Sequence, residues 1–305
     1  MAAKRMIGTL ALATALLALP VPVAAADAPN RTVGATDVLP DLKMAPIYDV
    51  SLQYLGNGKV RLRFGTTMWN IGQGPLEARG TGRVKRHMDQ IRQVIYATDG
   101  STRSVTPPDV TGFYAGDGHN HWHLLKFVAA TLYPAGNAGG APSAVRVLHK
   151  IGFCLTDSQR VPVEVTPANA APKRTYPYTG CGTRDSQKFK MGISVGWADV
   201  YPAWIAHQWV EVTGLAAGDY RLCATPNPLG QWLESDLANN SAWIDVRINV
   251  ATKQLTILGQ GDTECQPAAD AALAAARVAL SDGPPAAIYC PIEGQTTFER
   301  LLNQL

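Results

Sequence analysis

The amino-acid sequence predicts an all-β protein, an antiparallel β-sandwich-like single domain with long irregular loops and one short C-terminal helix. Three observations predict it. Short segments alternate apolar and charged residues, as in Val60-Arg61-Leu62-Arg63-Phe64, the pattern of a half-exposed strand. Turn-forming Gly, Pro, Asn and Asp recur between those segments. Nothing reads as a repeated βαβ unit, an internal repeat or a low-complexity linker.

The elements follow in order. Lys4 and Arg5, an apolar run from Met6 to Leu19, Pro20, Pro22 and the small residues around Ala24 to Ala28 have the layout of a secretory signal, placed at residues 1–26. The run is too short for a comfortable membrane span, and no later segment reads as one. Residues 27–40, with Pro29 and Pro40, read as a flexible leader. Strands begin near Ile47. Residues 66–70 can extend the strand at 60–64 past Gly65, and Gly72-Gln73-Gly74-Pro75 is a turn. Residues 93–97 form a strand before Asp99-Gly100, and residues 119–133 a strand or a bent pair. Residues 145–148 lead into 150–155. Residues 156–190, rich in Pro, Thr and small residues, read as a long loop tied down by a disulfide. Residues 209–212 and 220–223 are expected as strands around a Gly218-Asp219 turn. Residues 243–248 alternate well, and 254–258 close the sheet. Alanine content predicts a helix over about 267–279. The domain is placed at 41–260, with residues 261–305 as an appendage.

Removing residues 1–26 leaves about 280 residues, ample for a sizeable core. It also removes Lys4 and Arg5, taking the formal charge from +3 to +1. A nearly neutral chain argues against nucleic-acid binding and against attraction to anionic membranes. The expected location is secreted or periplasmic. There the five cysteines can form disulfides, with Cys154–Cys181 and Cys265–Cys290 favoured and Cys223 free, although sequence alone does not fix pairing. No CxxC is present, which argues against a thiolate zinc site.

The most informative stretch is Gly118-His119-Asn120-His121-Trp122-His123. Alternate residues of a strand share a face, so the spacing gathers His119, His121 and His123 on one side. Three imidazoles without a carboxylate in the motif suit copper or zinc. His119 and His123 would lie about 13 Å apart along a straight strand, so the segment must bend, with Gly118 and Asn120 as hinge candidates. Three ligands leave a coordination position open, as a catalytic metal needs and a closed structural zinc does not.

Three phrases follow: Lys150-Ile151-Gly152-Phe153-Cys154-Leu155-Thr156-Asp157; Asp199-Val200-Tyr201 with Gln208 seven residues on; and Gly218-Asp219-Tyr220-Arg221-Leu222 leading through Asn227-Pro228 and Glu234-Ser235-Asp236 to Asn239-Asn240. With the histidines, their order and spacing resemble the catalytic domain of the lysyl oxidases over roughly residues 40 to 250, most strongly from 117 to 245. The resemblance implies an exported copper-dependent amine oxidase. Its copper ligands would be His119, His121 and His123, and its cofactor a lysine tyrosylquinone formed from Lys150 and Tyr201. A primary amine, small or a lysine side chain, and molecular oxygen would be its partners, and aldehyde, ammonia and hydrogen peroxide its products.

The residue types suit that chemistry. A phenol near copper and oxygen can become an ortho-quinone, and a buried lysine favours the neutral, nucleophilic amine that can add to it. A general base must then remove a proton from the substrate. Asp199, two residues from Tyr201, is the candidate for that work, with His207 as a second. The chain departs from the family in carrying fewer cysteines, with Trp197 at a position that is cysteine there. Two other readings stand beside this one: a non-catalytic exported copper- or zinc-binding β-sandwich, and a metal-dependent hydrolase, which would need a further carboxylate over a metal-bound water.

Overall fold

The computed structural model describes residues 35–115, 120–135, 146–148, 150, 152–262 and 265. Nineteen strands lie among them. They are β1 (Asp37–Val38), β2 (Leu42–Met44), β3 (Tyr48–Tyr54), β4 (Val60–Asn70), β5 (Leu76–Val84), β6 (His87–Ala97) and β7 (Thr102–Val105). Then come β8 (Gly112–Ala115), β9 (His121–Leu125), β10 (Val128–Pro134), β11 (Arg146–Val147), β12 (Gly152–Phe153) and β13 (Gln159–Arg160). The rest are β14 (Phe189–Ile193), β15 (Trp197–Tyr201), β16 (Trp209–Glu211), β17 (Gly218–Pro226), β18 (Ala242–Asn249) and β19 (Gln254–Gly261). Two short 3-10 turns, Val163–Val165 and Tyr178–Cys181, are the helical elements among the described residues.

The all-β, antiparallel expectation holds. One sheet runs β12-β9-β8-β6-β5-β14, with β1 and β7 also on β6. A second runs β11-β10-β17-β18-β19, and a third β13-β15-β4-β16, with β2 and β3 also on β4. The long β4 is the spine of the third sheet. Its first half pairs with β3 and β16 and its second half with β2 and β15. It runs through Gly65 because the ring of Tyr48 occupies the space where a side chain at 65 would stand. Leu62, Phe64, Met68, Trp122, Leu124, Phe153, Ile193, Val210 and Ile244 lie in one continuous buried cluster drawn from all three sheets.

Two expectations are corrected. Gly218 and Asp219 do not form a turn; they begin β17, paired with Ile248 and Arg247, and the turn lies just upstream. The Asp219 carboxylate accepts from Arg247 at 2.6 Å, which favours a strand position for it. The second correction concerns the disulfides. Cys154–Cys181 forms as expected, but Cys223 pairs with Cys265 and is not free. Cys223 faces Trp243 across the β17–β18 ladder, and Gly261 faces Trp243 across the β18–β19 ladder. The chain leaving β19 therefore arrives beside Cys223, a proximity that sequence separation hides. Residues 1–26, most of the leader, Cys290 and the helix expected at 267–279 lie outside the described residues.

The 156–190 segment follows its expectation as a mostly irregular loop. Asp157 organises it. Its buried carboxylate accepts from the backbone N–H groups of Thr175, Tyr176 and Ser194 at 2.7, 3.0 and 2.7 Å. One carboxylate and one disulfide thus help to hold a loop with few apolar residues, whose buried amides need partners.

Candidate active site

The site lies where β9 and β12 of the first sheet face β15 of the third. Along β9, period-two alternation sends Trp122 and Leu124 into the core and His121 and His123 to the other face. Trp122 anchors that register by donating its indole N–H to the Thr183 carbonyl at 2.9 Å. Both imidazoles are buried, with their Nε2 atoms 2.8 Å apart. Imidazole nitrogens bind divalent transition metals at about 2.0 Å, so two of them on neighbouring corners of one ion stand roughly 3 Å apart. The pair therefore fits a shared ion. His119 lies outside the described residues, and among those described no three His, Cys, Asp or Glu side chains converge. Asn120, just before β9, has φ +55°, the left-handed region that Asn tolerates.

Gly152 on β12 makes room for His123. A side-chain carbon at 152 would fall 2.8 Å from its Nδ1 and 2.9 Å from its Cβ. The next residue, Phe153, packs edge-on against Tyr201 with ring centroids 4.9 Å apart. Tyr201 ends β15, is 7% exposed, and donates its hydroxyl to the Cys154 carbonyl at 2.8 Å. Lys150 is 3% exposed. Its Nζ lies 5.5 Å from the centre of the Tyr201 ring and 5.4 Å from that of Phe153. The two residues named from sequence as cofactor precursors are thus brought together inside the protein.

Asp199 shares a strand face with Tyr201 and is also buried. Its Oδ1 accepts from the hydroxyls of Thr156 and Ser158 at 3.1 and 3.2 Å. Its buried Oδ2 has no hydrogen-bond partner among the described residues. Burial pushes the Asp199 carboxyl up to about 7, opposed by the nearby Tyr201 hydroxyl and by the hydrogen bonds from Thr156 and Ser158. Burial, reinforced by the charge of Asp199, holds the Tyr201 phenol well above its ordinary value. The phenol is therefore protonated at neutral pH, beside a carboxylate near the midpoint of its titration.

A cavity of about 360 Å³ opens onto these groups. It is lined by His121, His123, Cys154, Thr156, Ser158, Tyr178, Asp199, Val200, Tyr201, Trp204, Ile205 and Ala206. Lys150 is not among its lining residues. Nor is His207, the second candidate base, which is buried at φ +65° in the turn before β16. Sequence reasoning missed Tyr178, Trp204 and Ser158. Tyr178 hydrogen-bonds His121 Nδ1 at 2.5 Å, and Trp204 stands 80% exposed on the cavity wall. No local pattern marks them, since their positions depend on the path of loops.

Part of the chain is similar to known proteins. Residues 113–257 match the family model described as lysyl oxidase. The chain is 32% identical over 124 residues to lysyl oxidase homolog 2 of Gallus gallus, covering 41% of this chain and 14% of the relative. It is 31% identical over 122 residues to lysyl oxidase homolog 4 of Mus musculus, covering 40% and 14%, and 31% identical over 124 residues to lysyl oxidase homolog 2 of Homo sapiens, covering 41% and 14%. The match thus spans about one seventh of the length of these relatives.

Proposed function

We propose that this chain, matched to the lysyl oxidase family over residues 113–257, is an exported copper-dependent amine oxidase that builds its quinone from Lys150 and Tyr201. One observation carries the reading: a buried lysine amine lies 5.5 Å from the ring centre of a buried tyrosine, next to two imidazoles fit for one ion. A non-catalytic metal holder gives no reason for that lysine and tyrosine to be buried together. Two disulfides suit an oxidising compartment outside the cytoplasm.

His121 and His123, with His119, would hold copper, which when bound supplies the one-electron chemistry that lets oxygen oxidise a phenol. The protein's own groups do the rest. The Cys154 carbonyl and the Phe153 ring fix Tyr201 in one orientation. Asp199, whose charge acts on the Tyr201 phenol, would take the phenolic proton as the ring is oxidised. Lys150 must give up its proton before the nitrogen lone pair can bond to the ring. The finished quinone supplies an electrophilic carbonyl for a primary amine, and the net reaction converts amine, oxygen and water to aldehyde, ammonia and hydrogen peroxide. Asp199, now facing the substrate, is the base for the proton on the carbon next to nitrogen. Val200, Trp204 and Ile205 offer the apolar wall for the rest of the substrate.

The test is reconstitution with copper in air. We expect a visible quinone band, peroxide from alkylamines, and a cross-linked peptide joining Lys150 to Tyr201 in mass spectra. Tyr201→Phe should abolish all three. Peroxide release that survives this change would overturn the quinone assignment.

A further inference from the structure

We infer that Tyr178 is a positioning residue for the metal site, its hydroxyl holding the imidazole of His121 through Nδ1 while Nε2 faces the ion. The inference rests on the copper reading of His121 and His123 and assigns a role to a residue outside it.

The geometry is direct. Tyr178 Oη and His121 Nδ1 are 2.5 Å apart, and the two rings pack edge to face with centroids at 4.6 Å. Nε2 of the same imidazole points the other way, to within 2.8 Å of His123 Nε2. A histidine that gives Nε2 to a metal carries its proton on Nδ1, and that N–H needs an acceptor to fix the tautomer and the ring plane. The phenol oxygen sits where that acceptor belongs. A phenol oxygen can accept this hydrogen bond and so orient the ring.

The chain takes trouble to hold this tyrosine, which is 58% exposed and gains little from burial. It starts the 3-10 turn Tyr178–Cys181, whose last residue is bonded to Cys154. Cys154 is in turn the residue whose carbonyl receives the Tyr201 hydroxyl. Inside the turn, Gly180 donates its N–H to the Pro177 carbonyl at 2.8 Å. Gly180 also lies so close to β14 that a side-chain carbon there would fall 2.3 Å from the Lys190 carbonyl oxygen. One disulfide therefore sets the position of both the histidine's hydrogen-bond partner and the tyrosine's.

The experiment measures Cu(II) affinity by chelator competition, together with the electron paramagnetic resonance spectrum. It uses full-length protein carrying Tyr201→Phe, so that maturation cannot intervene. Tyr178→Phe keeps the ring and removes the hydroxyl. It should weaken Cu(II) binding roughly 10–100-fold, the usual effect of losing a ligand's outer partner. It should also alter the nitrogen hyperfine pattern while leaving circular dichroism and Tm unchanged. Tyr178→Gln, whose amide oxygen can accept the same hydrogen bond, should recover part of the affinity. Wild-type affinity and spectrum in Tyr178→Phe, or equal losses in both variants, would overturn the inference. His121→Ala separates the layers: if it leaves Cu(II) affinity intact, the copper reading fails and this one with it. If it abolishes binding while Tyr178→Phe does not, only the role of Tyr178 falls.

Discussion

Asp199 and Tyr201 stand two residues apart on one face of β15; the charge of Asp199 disfavours ionisation of Tyr201, while burial disfavours ionisation of Asp199. Burial lifts the Asp199 carboxyl from 3.8 to about 7. If its charged form takes the phenolic proton, quinone formation should quicken as pH rises through about 7 and level off above it. Stopped-flow absorbance after copper addition measures this, and a rate flat from pH 6 to 8 would remove Asp199 from the step. The linked effect on stability has the opposite sense. A carboxyl with a raised folded-state pKa contributes stability that is present below about 3.8 and lost as pH climbs through about 7. At this scale much of the site was legible in the sequence. Within a strand a spacing of two residues places His121 and His123 on one face, and the same holds for Asp199 and Tyr201. Tyr178 was not legible, because its contact with His121 spans 57 positions and depends on a disulfide and a loop.

Among the elements, the phrases that carried the family resemblance divide into two kinds. Some make the site; others are joints. Asn227 and Asn240 donate their side-chain amides to Glu234 Oε1 at 2.5 and 2.9 Å, and the backbone N–H of Leu42 donates to Oε2 at 2.9 Å. Ser235 adds a backbone N–H to the Pro40 carbonyl. Glu234 thus ties the loop between β17 and β18 to the start of β2, far along the chain. Glu234→Gln turns one acceptor oxygen into a donor that must meet another donor. It should lower stability by about 1–3 kcal/mol, read as a lower urea midpoint at unchanged slope. A midpoint equal to wild type would show that the joint is dispensable. Reading the sequence found these residues but could not separate joint from site, since both kinds are short polar phrases and only the fold shows which carboxylate faces a cavity. The strands themselves were visible wherever one face is exposed, as at residues 60–64 and 243–248. The start of β17 was misread because Gly-Asp is also a common turn pair.

For the whole molecule, three antiparallel sheets share one core, and the site occupies a seam between two of them. That placement explains why sequence order says little about proximity: Lys150 precedes β12 in one sheet and Tyr201 ends β15 in another. The same distance hid the Cys223–Cys265 pair, which joins β17 to the chain leaving β19. The nearness of Lys150 and Tyr201 has a mechanical side as well. A covalent bond between them would close a loop of about 50 residues across the seam, a constraint worth up to about 4 kcal/mol in chain entropy, and less here because Cys154–Cys181 already shortens the loop. Protein matured with copper should therefore melt several degrees above a copper-loaded Tyr201→Phe control, as scanning calorimetry would show. Equal melting temperatures would mean that the bond adds no constraint. A reaction performed once would then work as a rivet between two sheets, and the wall facing every later substrate would be stiffer than the one that folded.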